Sequence, residues 1–120
     1  MDKMKRSYAL IAIALLIMVG CARFSANVFR TEQTITQVAY TTYTGYTNAL
    51  LSGTLKISAD QSNAVRMARL QFAASVSTLE SWRSAYETNS AVKPQVQAAL
   101  DAATANSANF VSLLHQFSTP

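Results

Sequence analysis

The stretch Thr31-Glu-Gln-Thr-Ile-Thr-Gln-Val-Ala-Tyr-Thr-Thr-Tyr-Thr-Gly-Tyr-Thr47 decides the fold. It holds seven threonines, and threonine is a poor helix former because its branched Cβ crowds the preceding turn. Tyr40 to Tyr46 alternates aromatic and threonine residues loosely enough to serve as a β ribbon. Against that, Val28, Ile35, Val38, Ala39, Tyr43, Tyr46 and Leu50 recur at helical spacing, and Ile35 to Tyr43 does not alternate cleanly. We prefer the helix, from about Val28 to Leu51, and keep the strand as the alternative. Gly53 then stops the helix, and Thr54 to Ile57 makes the turn.

Both downstream segments read as helices. From about Ala59 to Thr88 the apolar stripe is Val65, Ala68, Phe72, Ser75 or Val76, Leu79, Trp82 and Tyr86. Ser58, with Gln61 three residues on, forms a capping box. Glu80–Arg83 and Arg83–Glu87 have the spacing of exposed side-chain pairs. The last segment carries Val96, Leu100, Ala103, Ser107, Phe110, Leu114 and Phe117 at alternating four- and three-residue steps. Pro94 suits its first turn, where a missing N–H costs nothing. Lys93, just before proline, is expected outside the helical region, which makes Asn89 to Lys93 a loop. The expected fold is therefore all-α: an N-terminal signal or membrane helix, then a small antiparallel three-helix bundle. The domains are 1–20 as leader, 21–30 as tether and 31–120 as bundle.

Composition narrows the class. The chain has 120 residues, three Gly and two Pro, which argues against disorder and against a turn-rich sandwich. Its net charge of +4 is partly leader. Without Asp2, Lys3, Lys5 and Arg6, seven basic and five acidic side chains remain, a net of +2. These cations are scattered, so no nucleic-acid footprint is expected. One cysteine allows no internal disulfide.

That cysteine sits at the exit of a leader-like segment. Lys3, Lys5 and Arg6 precede sixteen uncharged residues, which end in Met18-Val19-Gly20-Cys21-Ala22. The run is short of the ~20 residues of a spanning helix and fits the apolar core of an export signal. Met18-Val19-Gly20-Cys21 resembles the lipobox of bacterial lipoproteins, with Met18 where Leu is usual. The resemblance covers only residues 1–22. It implies cleavage between Gly20 and Cys21, a diacylglyceryl group on the Cys21 sulfur and an acyl chain such as palmitate on its freed amine. By analogy with enterobacterial sorting, Ala22 points to the periplasmic face of the outer membrane. A thiolate is the apt nucleophile for such alkylation, and several acyl chains together anchor stably. The alternative keeps residues 7–22 as an uncleaved membrane anchor, with Cys21 as a packed small hydrophobe.

Little in the chain points to catalysis. His115 is the sole histidine, placed to favour a helix C-terminus. Glu32, Asp60, Glu80, Glu87 and Asp101 are spread over three segments, and no two share a face as a general acid/base pair would. Neither a phosphate-binding loop nor a nucleophile elbow occurs. No catalytic residue, metal or cofactor beyond the Cys21 lipid is expected. The candidate binding residues are Tyr40, Tyr43 and Tyr46, since Tyr is enriched at interface hot spots, together with Arg66 and Arg69. The bland alternative puts Tyr43 and Tyr46 in the core and the arginines in solvent. A ligand carrier would need an apolar cavity, whereas Ala68, Ser75, Ala103 and Ser107 suggest close helix packing.

The expected function is that of a small lipid-anchored envelope protein. Its periplasmic helical domain would bind a partner protein in an assembly, pilot, exclusion or accessory role, without catalysis. The alternative is a bitopic membrane protein, as a subunit of a membrane complex or a phage-encoded envelope protein. Self-association stays open, because narrow heptad-like stripes serve a homo-oligomer as well as a closed monomer.

Overall fold

The computed structural model describes the backbone from Asp2 to Ser118 and the side chains from Arg23 to Ser118. Among these residues every regular element is helical. α1 is Asp2–Leu51, α2 is Ala59–Thr88 and α3 is Lys93–Ser118, with a short 3-10 turn at Ser90–Val92 before α3. The chain divides into two compact units, Met1–Arg30 and Thr31–Pro120. In the first, Arg23 to Arg30, expected as a tether, are helical and belong to α1. The side chains of Gly20 and Cys21, and so the expected cleavage and lipidation site, lie outside the described residues. The same holds for the apolar run 7–22. Among the described residues no helix is long and apolar enough to cross a membrane.

In the second unit three helices pack together. The threonine-rich stretch 31–47 lies wholly within α1, and the strand alternative does not form. Thr42 Oγ1 donates to the Val38 carbonyl at 2.8 Å, and Thr47 Oγ1 donates to the Tyr43 carbonyl at 2.9 Å. A hydroxyl that bonds back one turn opens a second helical rotamer to threonine, which offsets part of its low propensity. After Leu51 the chain turns at Gly53, whose φ of +78° is left-handed and suits glycine. The Gly53 N–H donates to the Leu50 carbonyl, and the Leu55 N–H to that of Ala49. Two carbonyls of the α1 terminus that lack a partner inside the helix are thereby satisfied.

α2 begins with the expected capping box. Ser58 Oγ accepts from the Gln61 N–H at 3.1 Å, and Gln61 Oε1 accepts from the Ser58 N–H at 3.0 Å. The start of α3 corrects the sequence reading. Lys93 is helical, with φ −51° and ψ −45°, although a proline follows it. Its N–H donates to the Ser90 carbonyl, and Asn89 Oδ1 accepts from the Ala91 N–H. The capped 3-10 turn thus carries helical backbone straight into Pro94 and outweighs the local bias against a helical residue before proline.

The core joins Ala39 and Tyr46 of α1, Val65, Ala68 and Phe72 of α2, and Phe110 and Leu114 of α3. Phe72 and Phe110 stack with centroids 6.2 Å apart, and Tyr43 packs on Phe110 at 5.8 Å. Leu79, Ala103 and Leu114 are wholly buried. Small residues let the helices approach where α3 meets its neighbours: buried Ser107 donates to the Ile35 carbonyl at 3.3 Å, and Asn106 hydrogen-bonds Ser75. These pairs show that α3 runs along α1 and against α2. Val38 and Trp82, both expected in the core, are exposed. Val38 is half exposed because it lies about 100° around the helix from buried Ala39. Trp82 sits at the exposed rim of the α2 stripe, beside wholly buried Leu79.

Charge completes the packing. Arg83 bonds Glu32 of α1 at 2.5 Å, although Glu80 and Glu87 stand at helical spacing on its own helix. Glu32 is 6% exposed, so the pair clamps α1 to α2.

Candidate functional site

The seam between α1 and α2 opens into a groove. Its main cavity, of about 300 Å³, has walls from Tyr40, Tyr43, Leu70 and Ala73, with Phe72 and Phe110 as floor. A second hollow of about 260 Å³ continues toward the α1–α2 connection, beside Tyr46, Thr47 and Arg66. Tyr43 and Arg69 line both. The five candidate binding residues therefore converge. Tyr40, Tyr43 and Tyr46 come from one side of α1, and Arg66 and Arg69 from the facing side of α2.

Their environments differ. Tyr40 is 65% exposed and presents its ring at the groove edge. Tyr43 is half-buried, stacking on Tyr46 at 6.2 Å. Tyr46 itself is buried in the core cluster, and burial, with Tyr43 beside it, raises its phenol above the ordinary value. Tyr46 thus takes the core place that the bland alternative gives it, with Tyr43 half-buried beside it and Tyr40 outside the core. The Arg69 guanidinium lies over the Tyr43 ring, 5.5 Å from its centroid. A guanidinium stacked this way keeps its edge N–H donors directed outward.

The other end of the groove is acidic. Glu80 lines the main cavity and lies close enough to the Glu32 carboxyl to act on it. Burial pushes the Glu32 carboxyl above its ordinary value; Arg83 draws it down, and Glu80 raises it again. The acids share no helical face, as their spacing implies, yet Glu32 and Glu80 come together from different helices. Their meeting is between helices, which spacing within one helix does not reveal. Arg83 holds Glu32 across the two helices, which makes the pair an interhelical clamp.

Among the described residues no three His, Cys, Asp or Glu side chains gather as a metal site would need. No buried side-chain nitrogen or oxygen among them lacks a hydrogen-bond partner. His115 lies in the last turn of α3 and does not line either cavity. The small residues foreseen as close packing do pack closely, with Ala68, Ala103 and Ser107 buried. The open space lies on the α1–α2 seam, where Thr36, Ala73 and Ser77 leave the cavity unfilled. Compared with known proteins, the chain matches no family model, no curated protein and no solved structure.

Proposed function

We propose that this chain is a small non-catalytic envelope protein, held at a membrane through a lipidated Cys21, whose helical domain binds a partner protein in the α1–α2 groove. The groove carries the reading. An open apolar cavity walled by tyrosines and arginine, with a polar rim, has the composition of an interface hot spot. The lipobox-like Met18-Val19-Gly20-Cys21 supports the anchor, and Ala22 supports the outer membrane. An uncleaved span over 7–22 would make the protein bitopic but leave the groove its role.

Photo-crosslinking in bacterial cells tests the binding surface. A crosslinking amino acid at Tyr40 or Leu70 should yield a discrete adduct, while one at exposed Ala105 of α3 should not. Equal adducts at all three positions, or none in the groove, would remove the assignment. Cys21→Ser with an intact mass of the membrane-extracted protein tests the anchor. The wild type should weigh as residues 21–120 plus a diacylglyceryl and an acyl chain. The variant should leave the membrane with its helical content unchanged. A wild-type mass equal to all 120 residues would establish the uncleaved span instead.

A further inference from the structure

The charges of the second unit are sorted by height in the bundle. Five cations and five anions cancel within Thr31–Pro120. Lys56, Arg66 and Arg69 lie toward the α1–α2 connection, with Asp60 as the only acid there. Glu32, Glu80, Glu87 and Asp101 lie toward the opposite end with Arg83 and Lys93. The groove runs between these ends, with Arg66 and Arg69 at one and Glu80 at the other.

The two groove arginines have no carboxylate partner among the described residues. The ion pair that joins α1 and α2 is made by Arg83 with Glu32. Arg69 is instead fixed over Tyr43, already oriented before any ligand arrives. A cavity of about 300 Å³ is at the low limit for a whole small-molecule ligand and suits one or two inserted side chains. Three cations fall short of the four to eight that mark recognition of an anionic lipid surface.

Resting on the partner-binding reading, we propose that the groove takes an acidic, apolar protein segment. One large apolar side chain enters the cavity above Phe72 and Phe110, and a neighbouring carboxylate accepts hydrogen bonds from Arg69 and Arg66. The Glu80 end repels a carboxylate, so the segment binds in one direction. Its acidic group lies toward the α1–α2 connection.

The test uses the full chain in zwitterionic micelles and two fluorescent alanine-based helical peptides. One carries Phe and Glu four residues apart; the other replaces that Glu with Gln. Fluorescence anisotropy should show the Glu peptide binding about tenfold more tightly, the worth of one charge-assisted contact. That preference should vanish in Arg66→Gln/Arg69→Gln, which should still bind both peptides weakly. Ala73→Trp, which fills the cavity mouth from an exposed position, should abolish binding of both. Equal binding of the two peptides by the wild type would overturn the acidic partner and leave the groove standing. Failure of both to bind, or binding that survives Ala73→Trp, would overturn the groove as well. Two further results overturn the proposal by naming another occupant. One is displacement of the peptide by phosphatidylglycerol vesicles but not by phosphatidylcholine vesicles. The other is a dimer of the chain that Ala73→Trp dissolves.

Discussion

Ala103 and Ala102 are neighbours on α3 that point about 100° apart around the helix. Ala103 has no exposed surface, whereas Ala102 is exposed. Replacing either with leucine adds the same three carbons and barely alters helix propensity. At 103 those carbons have no free space, because the helices approach closely on this face. Buried Ser107, one turn along, bonds the Ile35 backbone at 3.3 Å. Overpacking such a site costs about 1–3 kcal/mol, whereas an exposed change stays within about 0.5 kcal/mol. For a unit of this size that difference moves the Tm by about 4–8 °C per kcal/mol. Urea unfolding of the full chain, followed by far-ultraviolet circular dichroism, should show a lower midpoint for Ala103→Leu at an unchanged slope. Ala102→Leu should match the wild type. A midpoint for Ala103→Leu equal to or above the wild-type value would mean that this face of α3 is not buried, and the bundle as described would fail.

Two further outcomes follow from local chemistry. Ser58→Ala removes the acceptor that caps the Gln61 N–H and should cost about 1 kcal/mol in the same urea experiment; an unchanged midpoint would mean that the cap contributes nothing. Glu32→Gln tests the clamp through pH. The folded chain holds the Glu32 proton more tightly than the ordinary value of 4.5. Stability from this group is therefore full below that value and is lost as pH rises through the raised folded-state value. The Tm of Glu32→Gln relative to wild type should thus increase from about pH 4 to about pH 7. A flat difference, or one that falls, would contradict the burial of this carboxyl.

What the sequence disclosed was periodic or local. The α2 and α3 stripes depend on side chains within one helix, and Val65, Phe72, Leu79, Val96, Ala103 and Phe110 are buried as their spacing predicts. The Ser58–Gln61 box and the stop at Gly53 are set by residues only a few positions apart. Threonine content weighed against α1 only until its hydroxyls were seen to bond back to the Val38 and Tyr43 carbonyls. Contacts between helices were not legible. Arg83 has acids at correct helical spacing on both sides, yet it pairs with Glu32, fifty-one residues away. The register of α1 against α2 sets that partner, and the bend at Gly53 sets the register. The same limit applies to the site. Tyrosine and arginine marked out a candidate surface one helix at a time, but only the packing of α1 on α2 placed Tyr40, Tyr43 and Arg69 on one cavity.

That packing also changes what the charge of this protein means. A net +4 suggests a basic protein that would seek anionic surfaces. The bundle itself is neutral, and its surface is dipolar rather than basic. Long-range attraction to a uniformly charged partner is then weak, because the two ends act in opposite senses and salt screens each beyond roughly 10 Å. Under the proposed function selectivity has to arise at short range, inside the groove, where Arg69 is preset by Tyr43. Such a surface discriminates by the order of charge and apolar bulk along a segment. A partner with the same composition in reversed order would bring its carboxylate against Glu80 and lose the arginine contacts at the same time.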